Sequence, residues 1–218
     1  MQTLIEQGLA ARLAFRNTPE HIRERLTLRF SLLYFFFFAA GLLLGRALRT
    51  ETYSAINTYM ETWLCHPFDD CIWARDYIRA ILREARGELI LLAMIAMGGM
   101  TMFAGRACAA LLAVHAAGFG VICYGTAARV LYVAAPLSHG NLAFFTCFFT
   151  ELLCAGILLA AATEAAMFSD RYRDACRTLR SRRDPLGARF ILLILSLAGM
   201  LTVTVAARCL LDRLWSCI

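Results

Sequence analysis

Apolar residues fall along this chain in long blocks separated by short clusters of charge, a spacing that neither a soluble amphipathic helix nor an alternating strand produces. The first block starts after Arg29 and covers residues 30–48, with Phe35, Phe36, Phe37 and Phe38 at its heart. From Leu89 to Ala128 the chain is apolar almost without interruption, broken chiefly by Arg106 and His115. A single helix of that length would be about 60 Å long, twice the hydrocarbon thickness of a bilayer. The stretch therefore predicts two spans joined by a tight turn near Gly105 and Arg106, or a broken re-entrant arrangement. Two further blocks cover residues 142–168 and 190–207. The pattern predicts an all-α polytopic membrane bundle with about five transmembrane helices.

Between the blocks lie a basic segment (1–29), a mixed polar segment (49–88), an arginine-rich loop (169–189) and a short tail (208–218). Within the polar segment, Ala55 to Leu64 and Trp73 to Leu82 have the spacing of amphipathic helices. They are joined by Cys65-His66-Pro67-Phe68-Asp69-Asp70-Cys71, where the proline and paired aspartates suit a turn.

Composition agrees with lipid as the second solvent. Apolar residues make up 60% of the 218 residues and mean hydropathy is +0.62, against about 45–50% apolar in ordinary soluble domains. All 22 basic residues are arginines, giving a net charge of +6. They flank apolar runs rather than forming a basic face, which signals topology and excludes nucleic acid as a partner. The arginine bias predicts a cytoplasmic N-terminus and a cytoplasmic 169–189 loop, with Arg106 on the same side. Segment 49–88, the Pro136 loop and the tail are then external, and the chain belongs in the plasma or inner membrane.

Candidate chemistry is sparse. The chain lacks G-x-S-x-G, H-E-x-x-H and Walker A sequences, so no enzyme, catalytic residue, cofactor or metal is expected. Cys65 and Cys71, placed outside the cytosol, are candidates for a disulfide, and Cys209 with Cys217 for a second. A metal-binding reading of Cys65, His66, Asp69, Asp70 and Cys71 fits poorly, because adjacent ligands do not match structural zinc spacing. Glu151 lies about nine residues into its span, near mid-bilayer, where a carboxylate is normally paired, protonated or turned toward a polar cavity. His115 comes out at similar depth, so the two are expected to meet as an intramembrane polar pair. Gly41 and Gly45 share a helix face, and Gly98, Gly99, Gly118 and Gly120 punctuate the double span; all are candidate helix-packing positions. Trp63, Phe68, Trp73 and Tyr77 offer a partner surface, or a lid packed on the bundle itself.

The order of these features resembles a known family. A basic N-terminus leads into an aromatic-rich span ending Gly41-Leu-Leu-Leu-Gly45. An external polar segment follows, then the double span from Ile95-Ala-Met-Gly-Gly99 through Gly118-Phe-Gly-Val-Ile-Cys-Tyr-Gly125, a long fourth span, a basic loop and a final span. This layout is similar to the stage II sporulation protein M family of endospore-forming bacteria, over roughly Arg25 to Leu210. The resemblance implies a non-enzymatic membrane anchor. It would recruit peptidoglycan-degrading proteins during forespore engulfment, with sporulation proteins D and P as partners. A permease subunit of a transporter is the alternative, with Glu151, His115 and the glycine-broken span near a substrate path.

Overall fold

The computed structural model describes residues 19–47, 74–101, 103–132, 139–178 and 186–216, and every element among them is helical. In chain order these are α1 (Pro19–Ala47), α2 (Ala74–Glu84), α3 (Arg86–Gly99), α4 (Ala104–Tyr132), α5 (His139–Thr178) and α6 (Leu186–Ser216). Pro19 opens α1, where its missing N–H is no loss, and Glu20 and Arg46 sit at the helix ends that favour their charges.

Four helices are long and apolar enough to cross a membrane, within residues 20–47, 104–125, 145–172 and 187–211. The fifth expected pass corresponds to α3, which at 14 residues is shorter than a full span. It does not stand alone. Ala85 N donates to Ile81 O and Leu89 N to Ala85 O, both at 2.9 Å, so α2 runs into α3 as one bent rod with Ala85 at the bend.

The tight turn begins at Met100 and Thr101, a few residues before the Gly105–Arg106 position expected from sequence. Met100 N and Thr101 N close back onto Met97 O and Gly98 O at 3.0 Å, and Thr101 Oγ1 also donates to Gly98 O at 2.7 Å. These bonds satisfy carbonyls that a helix end otherwise leaves open. Nothing lies within 4 Å of a side chain added at Gly105, whereas a Cβ at Gly99 would stand 2.8 Å from the Ala165 Cβ. The glycines needed here are thus those that admit α5, and the chain reverses immediately after them.

Other boundaries also move. The span expected at 142–168 is the middle of α5, which continues through residue 178 into the expected basic loop. The expected tail at 208–218 is largely helix: α6 runs to Ser216, and Arg208 and Cys209 are buried. Of the expected Cys209–Cys217 pair, Cys209 is buried against the core and Cys217 lies outside the described residues.

Apart from the amphipathic α2, the helices show almost no amphipathicity because both faces are apolar; size distinguishes them. The packing face of α5 is small: Cys154, Ala155, Ala161, Ala162, Ala165 and Ala166 are all buried, with Leu158 among them. Large side chains such as Leu32, Phe35, Phe36, Leu153, Leu192 and Val203 point outward. Without a hydrophobic force between helices in lipid, small residues that permit close backbone approach hold such a bundle together.

The tightest approach is α1 on α4, the most extensive helix pairing among the described residues. A Cβ at Gly41 would meet the Ala117 carbonyl oxygen, and one at Gly120 the Phe38 carbonyl oxygen, while Gly45 faces Val121 and Tyr124. Gly98 lies more loosely over Ala107. Gly118 departs from the packing role expected of it: it is exposed, with nothing within 4 Å of an added Cβ. Its bare backbone instead borders a cavity.

Candidate functional site

Glu84 ends α2 and Glu88 lies in the first turn of α3. Their four-residue spacing, carried through the hydrogen-bonded bend at Ala85, keeps both on one side of the rod. Glu88 stands eleven residues before Gly99 and His115 eleven after Ala104. At 1.5 Å per residue both are about 17 Å from the turn that joins their helices, and so at one level.

At that level His115 Nε2 lies 3.2 Å from Glu88 Oε1 and donates to it, while His115 Nδ1 and the Tyr34 hydroxyl share a hydrogen bond of 2.9 Å. Tyr34, on α1, is buried. Helices α1, α3 and α4 are thereby tied through one imidazole. On the other side, Arg208 Nη1 donates to Glu151 Oε1 at 3.1 Å and Nη2 to Glu84 Oε2 at 3.3 Å, tying α6 to α5 and α2. The Glu151 and Arg208 residues are 7% and 6% exposed, so this pair is inside the protein.

The two halves meet. One ligand atom each from Glu88, His115 and Glu151 lie within 4.8 Å of one another. His115 and Glu151 are thus brought to one cluster, but each makes its hydrogen bonds elsewhere: the histidine with Glu88 and Tyr34, the glutamate with Arg208. Glu88 Oε2 is buried and has no hydrogen-bond partner among the described residues. Around the cluster is a cavity of about 640 Å³, lined by these acids, His115 and Arg208 together with Arg83, Gly118, Ile122 and other residues.

Tyr34, Glu84, Glu88 and Arg208 are members that sequence reasoning did not single out. Tyr77, proposed for a partner surface, is half-buried and packs against the hydrophobic core, as a lid residue would. Trp63, Phe68, Trp73, Cys65 and Cys71 lie outside the described residues.

The arrangement can bind and orient. Three carboxylates and an imidazole converge in a roomy cavity, with one guanidinium holding two of the acids apart. Compared with protein-family models, curated proteins and solved structures, the chain matches none.

Proposed function

We propose that this chain is a multi-pass protein of the plasma or inner membrane that binds a small polar solute or ion within its helical bundle, as a permease subunit does. One observation carries the reading: the most polar cluster of the described residues lies in a cavity of about 640 Å³ between apolar helices. Charged groups at membrane depth are costly, and where they persist they usually line solute or ion pathways. A purely structural cross-link would close on itself, as the Arg208–Glu151 pair does. Here the helices also leave a cavity that the pair lines.

The anchor role implied by the resemblance to stage II sporulation protein M rests on the order of spans and on the external segment. The chamber adds nothing to it, and the solute-binding reading takes precedence on that ground.

Cysteines placed singly at Gly118 and Ile122, on the cavity wall, test the reading. Labelling of intact cells with a membrane-impermeant maleimide should modify both above the level of the native chain. A chamber closed to water would leave both unmodified, and the reading would fall.

A further inference from the structure

We propose that Glu88, His115 and Glu151 form a binding site for a divalent first-row transition cation, of the zinc, manganese or cobalt kind. The site rests on the reading of the chamber as a solute-binding one and names the class of solute.

Geometry comes first. Ligand atoms on a tetrahedral ion at ~2.1 Å lie about 3.4 Å from one another. His115 Nε2 and Glu88 Oε1 already stand 3.2 Å apart, and the Glu151 oxygen completes a triangle with no side longer than 4.8 Å. A side-chain rotation of roughly an ångström closes that triangle to the spacing of ligands on one ion. The cavity leaves the remaining coordination positions to water or to a departing path.

The donors select the ion. An imidazole nitrogen with carboxylate oxygens suits zinc, manganese, iron or cobalt, whereas magnesium and calcium prefer oxygen alone. Charge points the same way. Glu84 pairs with both Arg208 and Arg83 and Glu151 with Arg208, whereas Glu88 meets no guanidinium among the described residues, so its charge is left for a cation to cancel. Glu88 Oε2, buried without a hydrogen-bond partner among the described residues, is an acceptor with capacity to spare.

The surroundings fit a ligand set held in place. Binding at Nε2 requires the proton on Nδ1, and Tyr34 Oη is 2.9 Å from Nδ1 to accept it. A metal-bound histidine ordinarily donates its second N–H to an acceptor that fixes the ring, and the Tyr34 hydroxyl stands in that position. Arg208 holds Glu151 Oε1, fixing the carboxylate while its other oxygen stays available.

The test uses the full chain, purified in detergent and stripped with a chelator. Titration with Co²⁺, followed by visible absorption, should reach one ion per chain with d–d bands of nitrogen and oxygen ligation. Zn²⁺ should displace it and a large excess of Mg²⁺ should not. E88Q and E151Q should each weaken Co²⁺ binding at least about tenfold, and Y34F, which alters only the group orienting His115, about tenfold with a shift in the bands. E164Q, remote from the cluster, should bind as the native chain does. Absence of Co²⁺ and Zn²⁺ binding by the native chain overturns the proposal whatever the variants do, as does native affinity in both E88Q and E151Q. If the chamber labels with maleimide while the ions fail to bind, only the metal assignment falls; an unlabelled chamber removes both.

Discussion

Arg208 Nη1 lies 3.1 Å from Glu151 Oε1, an ion pair that joins α6 to α5 with both residues less than a tenth exposed. The same guanidinium reaches Glu84 on α2, so one side chain fastens three helices. A buried pair is not by itself strongly stabilising, because desolvation offsets attraction, but breaking one leaves a charge with no partner.

Arg208→Met, which strips the guanidinium from two acids, is therefore expected to cost about 3–5 kcal/mol, Glu151→Gln, which leaves Arg208 paired with Glu84, less, and the double variant much less than their sum. Equilibrium unfolding in mixed detergent micelles measures this. Strictly additive losses would mean that the two residues do not act as a pair.

The Arg23–Glu164 pair provides a contrast. At 2.9 Å it is shorter than the Arg208 pair, yet Arg23 is 60% exposed. Its side chain is free to exchange the carboxylate for solvent, so E164Q should cost under about 1 kcal/mol in the same unfolding measurement. A loss as large as that of E151Q would show that exposure does not govern these pairs.

Backbone approach makes a third prediction. Gly120→Ala drives a methyl into the Phe38 carbonyl and Gly41→Ala drives one into that of Ala117, so each should destabilise by about 1–3 kcal/mol as α1 and α4 separate. Gly118→Ala, two residues from Gly120, meets nothing within 4 Å and should be neutral or slightly stabilising by the helical preference of alanine. Thermal unfolding of the three variants separates them. Equal losses would contradict the close α1–α4 contact.

Much of this fold is legible in the sequence because apolar length is a strong signal in lipid. The blocks mark the four long helices to within a few residues at their apolar centres. Helix ends were less legible, since α5 and α6 extend past the hydrophobic windows into charged residues. The turn lies a few residues before the position where Arg106 interrupts the apolar run, because Thr101 closes the helix directly after the contact residues Gly98 and Gly99.

Half of the site was legible. Glu151 and His115 stood out because their neighbours are apolar. Glu84 and Glu88 were read as part of an external polar segment, although their four-residue spacing places them on one side of a helix. Arg208 was assigned to the tail because the apolar window was ended at residue 207. The signal was present: Ala206 and Ala207 precede it and Cys209, Leu210 and Leu211 follow, a setting in which a single arginine marks an internal pairing. Which acid it pairs with depends on how α2, α5 and α6 meet, and no spacing along the chain carries that.

The central claim is that the cluster of Glu84, Glu88, His115, Glu151 and Arg208 opens to water inside an apolar bundle. Its most direct test compares cysteines at Ile122, on the cavity wall, and at Leu153, two residues from Glu151 but 62% exposed on the outer face of α5. With a membrane-impermeant maleimide added to intact cells, Ile122→Cys should label and Leu153→Cys should not, the second being covered by lipid. Equal labelling of the two, or labelling of Leu153→Cys alone, would contradict the account.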